Sequence, residues 1–228
     1  LYWEPLPTRK NIMRIAIIGT VGVPASYGGF ETLAERLIEE CEPSYTVYCS
    51  GRHYRRTARQ RDYNGARLVY LPISANGAAS VLYDVLSVIH ALITGHRQLL
   101  ILGTSGALII PLVVRLCPNA NVVVNIDGIE WRRQKWRGVA RRFLRWSEAV
   151  AVQYASTVVA DNRAIADYVM ASYGRNCRTI AYGGDHAVVP PNEGSLNTVR
   201  DIGGRYAFGL CRIEPENNVH IILCLLYT

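Results

Sequence analysis

This chain of 228 residues contains no CxxC pair, no GxGxxG or GxxxxGK[ST] loop, no GxSxG elbow and no run of about 18 apolar residues. Each absence removes a class. The missing glycine fingerprints argue against an ordinary dinucleotide enzyme or a Walker-type NTPase, and the missing elbow leaves a serine hydrolase without support. Six cysteines and five histidines are scattered without metal-ligand spacing, so neither structural zinc nor a disulfide framework is expected, and the cysteines read as small core residues. The richest apolar stretch, Leu99 to Val114, is cut by Gly103, Thr104, Ser105, Gly106 and Pro111, which speaks against a spanning helix. The opening LYWEPLPTRKNI has two prolines and no apolar signal-peptide core, so a cytosolic address is expected. Lysine is nearly absent, since 23 of the 25 basic residues are arginine. With a formal net charge of +7, that bias suits forked recognition of phosphate or carboxylate.

What is present is alternation. RIAII ends at Gly19, and FETLAERLIEEC then places Phe30, Leu33, Ala34, Leu37, Ile38 and Cys41 three or four residues apart. That is a strand, a glycine-rich loop and an amphipathic helix. The order recurs through TVYC, RLVYL, Val81 to Thr94, LLILG, Ala107 to Leu116, VVVNI, Val139 to Tyr154, TVVA, Ala164 to Tyr173 and RTIAY. Because almost every strand run is apolar throughout, the expectation is a Rossmann-like parallel sheet with helices on both faces. Met13 reads as the natural start, with residues 1–12 a non-native or disordered extension. Residues 13–182 read as one domain, 183–204 as a Pro- and Gly-containing linker, and 205–228 as the truncated start of a second domain.

Four stretches could carry chemistry. In GTVGVPASYGGFE, Gly19, Gly22, Gly28 and Gly29 would let backbone N–H groups approach an anion at a helix start; the alternative is a long connection. In VVVNIDGIEW, Asp127 and Glu130 follow a buried strand, where carboxylates face a ligand crevice, although Asp127 could equally shape a turn with Gly128. The segment from Trp131 to Trp146 holds seven positive charges and no acid. If helical from Gly138, it puts Val139, Ala140, Phe143 and Leu144 on one stripe and Arg137, Arg141 and Arg145 on another. That suits an anionic membrane surface or a solvated helix face. The run RHYRRTARQR, residues 52–61, could track a phosphate-bearing acceptor or be a mobile loop tip. Aromatic and Arg alternation permits single-stranded nucleic acid there, but no RNP, KH or helix-turn-helix pattern accompanies it and no nucleic-acid partner is expected.

Together, GTVGVPASYGGFETLAERL, VVVNIDGIEWRRQKW, VVADNRAIADYV and CRIEPENN resemble the bacterial glycosyltransferases of family 4, of GT-B fold, and within them the rhamnosyltransferase subgroup with a DUF1972 N-terminal region. The resemblance runs from about Met13 to Ile222. It implies an acceptor-side N-terminal domain facing a donor-binding domain, and retaining transfer of a sugar, rhamnose in the subgroup, from a nucleotide diphosphate sugar to a lipid-linked saccharide. No cofactor and no metal are implied beyond that co-substrate. The implied place is the cytoplasmic face of the plasma membrane, bound peripherally.

Carried over by position, Asp127 is the implied catalytic residue, standing where many relatives place a His. Gly22, Gly28, Gly29 and Arg212 would contact the donor diphosphate. Tyr27, Glu130, Trp131 and Asn162 would meet the acceptor. Arg132, Arg133, Arg137, Arg141, Arg142 and Arg145 would face the membrane. A Lys common in the family is Asn217 here, and the family's donor-site Glu pair would fall beyond Thr228. The competing expectation is a noncatalytic fragment that holds acceptor or membrane.

Overall fold

A computed structural model describes residues 13–26, 28–184, 211 and 217–226. The expected extension 1–12, nearly all of the expected linker, and Tyr27 and Arg212 lie outside the described residues. In chain order the elements are β1 (Arg14–Ile18), α1 (Gly29–Glu40), β2 (Ser44–Ser50), β3 (Asp62–Tyr63), β4 (Ala66–Leu71), α2 (Ala79–Ile93), β5 (Gln98–Leu102) and α3 (Ile110–Leu116). They continue with β6 (Asn121–Ile126), α4 (Gly138–Tyr154), β7 (Thr157–Ala160), α5 (Arg163–Tyr173), β8 (Arg178–Thr179) and α6 (Val219–Leu226).

Eight strands make one sheet in the order β3-β4-β2-β1-β5-β6-β7-β8. Every neighbouring pair is parallel except β3 and β4. The expected Rossmann-like α/β architecture is therefore the observed one. Its apolar strand runs follow from burial on both faces: Ala16, Ile17 and Ile18 are all inaccessible to solvent. Successive residues of β1 nevertheless serve different cores, because side chains alternate across a strand. Ile17 joins Val47, Leu102 and the α1 residues Ala34 and Ile38. Ala16 and Ile18 join Tyr83, Val88 and Ala91 of α2, Ile110 and Val113 of α3, Ala151 and Val152 of α4, and Ile165 and Val169 of α5.

Thus α1 covers one face and α2 to α5 the other. Right-handed crossovers require this division: the chain moves one way from β1 to β2 and the opposite way from β5 onward. Strand order consequently reverses beside β1, and such a reversal opens a crevice at the carboxyl ends of β1 and β5.

Several local expectations need correction. The basic run 52–61 contains a short 3-10 turn, Arg56–Ala58, and is followed by the edge strand β3. Asn64 and Gly65 both take positive φ, 45° and 82°, which is the turn an Asn-Gly hairpin makes. RTIAY shortens to two residues of strand. Of the six cysteines, all free, Cys49 is buried, Cys117 and Cys177 are partly covered, and Cys41, Cys211 and Cys224 are exposed. The first is a core residue, the next two pack against the core from its margin, and the last three do not join it. The apolar stripe of α4 begins a turn later than expected: Val139 and Ala140 are exposed, and the packed face is Leu144, Ser147, Glu148, Val150, Ala151 and Val152. Val139 and Ala140 are flanked by the exposed Arg137, Arg141 and Arg142, which keep the start of α4 in solvent. In α6, Ile221, Ile222, Leu223 and Leu225 are exposed. Among the described residues no helix is long and apolar enough to cross a membrane.

The closest backbone approach at the reversal is Gly19, with φ +96°, where an added Cβ would lie 2.1 Å from the carbonyl oxygen of Leu102. Gly19→Ala should cost about 3–5 kcal/mol, combining left-handed strain with a clash that backbone cannot relieve. Gly65→Ala, also at positive φ but opening on free space, should cost only about 1–2 kcal/mol. Urea unfolding of the two variants checks the order; equal losses would remove the special status of the β1 and β5 contact.

Candidate functional site

The glycine-rich loop after β1 divides into a packed half and an open half. Gly22 is buried with φ +131°, and a Cβ there would fall 2.7 Å from Cys49 Sγ and 2.9 Å from the Tyr54 ring. The backbone N–H of Val21 donates to the buried Glu31 carboxylate at 2.7 Å. Glu35 accepts from Ala25 N–H at 3.3 Å and from the Tyr63 hydroxyl at 2.6 Å. Two carboxylates of α1 thus fasten the loop, and the Val21 amide that an anion could have used is already taken. Gly28 and Gly29 differ. Gly28 is extended, Gly29 is exposed, and the nearest atom to an added Cβ on Gly29 is in the Tyr182 ring, 4.0 Å away. A cavity of about 720 Å³ lies there, lined by Gly29, Thr32, Leu33, Arg36, Glu40, Tyr182 and Gly183.

Tyr182 joins this cavity to the ends of β6 and β7. Its hydroxyl accepts a hydrogen bond from Asn125 Nδ2 at 2.5 Å. Register pairs Ile126 with Ala160, so Asp127 and Asp161 leave adjacent strands side by side. Asp161 N–H also donates to the Ile126 carbonyl at 3.4 Å. Asp127 is exposed. Desolvation pushes its carboxyl above the ordinary carboxylate range; its own backbone N–H opposes the shift, while the charges of Asp161 and Glu130 add to it. Asp161 is raised too, by desolvation. Burial raises Tyr182 as well, and the nearby Asp127 and Asp161 charges push it further, so the phenol keeps its proton. Asn125, only 3% exposed, leaves its buried Oδ1 without a hydrogen-bond partner. The arrangement presents two carboxylates and a phenol beside an open helix start, with the Asn125 amide buried beneath them.

Glu130, Trp131 and Asn162 have structural partners. Glu130 accepts from Lys135 Nζ at 2.8 Å, Trp136 Nε1 at 2.8 Å and Arg133 at 3.4 Å. Burial pushes its carboxyl up, but the bonds from Lys135 and Trp136 outweigh this and hold it low. Trp131 donates from Nε1 to the buried Glu148 at 3.2 Å. Asn162 caps α5, its side-chain oxygen accepting from Ile165 N–H at 3.0 Å, and its Nδ2 donates to Asp161 at 2.7 Å. That last bond ties the cap to the carboxylate pair. The six arginines separate into sets: Arg132, Arg141 and Arg145 gather on Trp131, Arg133 binds Glu130, and Arg137 and Arg142 are exposed elsewhere on the segment.

Asn125, Asp161, Tyr182 and Asp84 were not selected from the sequence. Asp161 carries the signal that selected Asp127, an acid directly after a buried apolar run. Asp84 announces itself as the one acid inside the apolar helix α2. Tyr182 has no such signal. Asp84 is 2% exposed and accepts a short hydrogen bond from the Ser105 hydroxyl, in the loop after β5. Its other oxygen is unpartnered, and Gly106 exists there because a Cβ would meet Asp84 Cβ at 2.3 Å.

Strand order and layering together define a Rossmann-like α/β domain whose sheet order reverses between β1 and β5. A family model described as a domain of unknown function, DUF1972, matches residues 12–185, and the chain belongs to that family. No curated protein matches the chain.

Desolvation raises Asp84 to about 7, with the Ser105 bond opposing. A folded value above the unfolded one means that the native state binds the extra proton between about pH 4 and pH 7. The contribution of this group is full below that window and lost as pH rises through about 7. Asp84→Asn keeps the acceptor for Ser105 without the charge. It should therefore gain stability relative to wild type on going from about pH 5 to about pH 8, by a few kcal/mol at most. Urea unfolding at the two pH values reads the difference; a constant offset would show that Asp84 is not the titrating group.

Proposed function

We propose that this chain is the acceptor-side half of a retaining glycosyltransferase. It transfers a sugar, rhamnose by resemblance, from a nucleotide diphosphate sugar to a lipid-linked saccharide in cell-surface polysaccharide synthesis. One observation carries the reading: Asp127, Asp161 and Tyr182 converge at the sheet edge that also holds the open Gly28 and Gly29. Strand-end carboxylates of this kind accept hydrogen bonds from sugar hydroxyls. A glycine pair at a helix start admits a diphosphate to backbone N–H groups, which then carry part of the leaving-group charge. Glu31 narrows that opportunity, since it places a carboxylate in the first turn of α1 and occupies the Val21 amide. The diphosphate is accordingly received at Gly28 and Gly29, with Arg212 as the partner that the resemblance implies, and needs no metal.

Asp127 acts at the reacting sugar, as a proton acceptor or as the holder of a hydroxyl. In a chain carrying a complete donor-binding domain, Asp127→Ala should lower turnover by about 10²–10⁴ with little change in thermal unfolding. The same variant at full activity, or one that unfolds, would leave Asp127 as a turn residue beside Gly128. The second reading, a noncatalytic module that holds acceptor or membrane, draws on the occupied inner half of the glycine loop. It is favoured if acceptor binding survives while no variant of Asp127 alters transfer.

Peripheral attachment to an anionic membrane belongs to the same proposal. The first turn of α4 exposes Val139 to 81%, and Trp146 is half exposed beside Arg142 and Arg145. Co-sedimentation with anionic vesicles should be lost at about 0.5 M salt, where the Debye length falls to roughly 4 Å. Retention unchanged by salt would overturn the electrostatic attachment.

A further inference from the structure

The seven charges between Arg132 and Arg145 are not one diffuse surface. Arg141 and Arg145 stand four residues apart on α4 and therefore share a face. Both guanidinium carbons lie over the Trp131 ring, 5.4 and 5.3 Å from its centroid, and that of Arg132 lies 5.2 Å from the same centroid. Arg132 is also 5.2 Å from the ring of Tyr168, so two aromatic faces hold it. Any two of the three cations are then no more than about 11 Å apart, where screening at a physiological Debye length of about 8 Å leaves part of their repulsion. Among the described residues none of the three is ion-paired.

The indole that gathers them is itself fixed. Its Nε1 donates to Glu148, which is 1% exposed, and the same carboxylate oxygen accepts from the Tyr168 and Tyr173 hydroxyls at 2.5 and 2.6 Å. Glu148 continues the α4 face that carries Arg141 and Arg145. A buried carboxylate thus anchors a ring on which three planar donors converge, none of them in direct contact with an acid among the described residues. Bringing like charges together is unfavourable until an anion is shared among them, and guanidinium forks match phosphate oxygens.

We infer that Trp131, Arg132, Arg141 and Arg145 form a single binding site for a diphosphate anion, borne either by a lipid or by a soluble molecule. The assignment rests on the reading of this segment as facing an anionic partner, and it narrows that reading from surface charge to one stoichiometric site.

The test uses inorganic pyrophosphate, followed by calorimetry, on the chain as it exists. Saturable binding with one site per chain is expected. Arg141→Gln with Arg145→Gln should weaken it about tenfold or more, whereas Arg137→Gln with Arg142→Gln, an equal change in net charge, should alter it less than about twofold. Equal losses in the two pairs, or no saturable binding, would overturn the site. Arg141→Lys with Arg145→Lys keeps the charge without the planar fork and should remain weaker than wild type; full rescue would overturn the stacked geometry.

Phosphatidylcholine vesicles doped with a polyprenyl diphosphate, compared with the same vesicles doped with phosphatidylglycerol, distinguish the sources. Preference for the diphosphate lipid supports a lipid-borne ligand, and free pyrophosphate binding without that preference supports a soluble one. Binding to phosphatidylglycerol vesicles with no pyrophosphate site would sink this inference while leaving membrane attachment intact. Neither measurement involves sugar transfer, so the result stands apart from the fate of Asp127.

Discussion

The loop that opens the carboxyl edge of the sheet depends on how closely β1 and β5 can approach there. The strands run side by side in register from Ile15 and Gln98 to Ile18 and Ile101. Beyond that point the chain must turn away from the sheet while passing against the Leu102 carbonyl, and a residue with no Cβ at positive φ is what permits it. Once Gly19 has made the turn, Val21 can reach Glu31 and Ser50 can donate to the Val21 carbonyl at 2.8 Å. The loop is then clamped between α1 and the end of β2. Its outer part, Gly28 and Gly29, is the portion left open to solvent.

Buried carboxylates repeat this role at three places. Glu31 holds the loop after β1, Asp84 holds the loop after β5 through Ser105, and Glu148 holds the loop after β6 through Trp131. Removing a carboxylate from water is costly unless donors replace the lost hydration. Glu148 receives three donors on one oxygen, which tie Trp131 and two tyrosines of α5 to α4. Asp84 receives one and leaves an oxygen bare, which is why burial shifts it to about 7. The number of donors that reach the oxygen atoms therefore differs between the loops, and the single donor to Asp84 leaves that anchor sensitive to pH.

The sheet was legible because its central strands are buried on both faces and read as continuous apolar runs, as in VVVNI and LLILG. The edge was less legible. β3 has two residues, one of them exposed, and its only signature is the Asn-Gly turn that follows it. Asp127 could be chosen from its place after an apolar run, and Asp161 satisfies the same rule. Tyr182 could not be chosen, since its place beside Asn125 and Gly29 depends on where the chain passes after β8. Gly22 shows a related ambiguity: a glycine demanded by a neighbouring Cys and Tyr looks, in sequence, like a glycine demanded by a ligand. The Arg-rich segment showed its charge in sequence but not its division into sets, because contacts with Trp131 depend on how the turn at Glu130 meets α4.

That division matters for how a ligand would lie on the domain. Asp127 and Trp131 are four residues apart in one loop, so even a fully extended backbone separates them by no more than about 14 Å. Within that span the character of the edge changes from carboxylates, whose charges favour hydroxyl donors, to guanidinium groups, which favour phosphate oxygens. A neutral sugar alone would gain little from the arginine end, and an isolated phosphate would be repelled from the carboxylate end. On the proposed reading, a molecule that joins a sugar to a diphosphate satisfies both ends in one orientation and neither in the reverse. The Glu130 turn, tied down by Lys135, Trp136 and Arg133, keeps the two ends at fixed separation, so orientation is set by the loop before any second domain contributes.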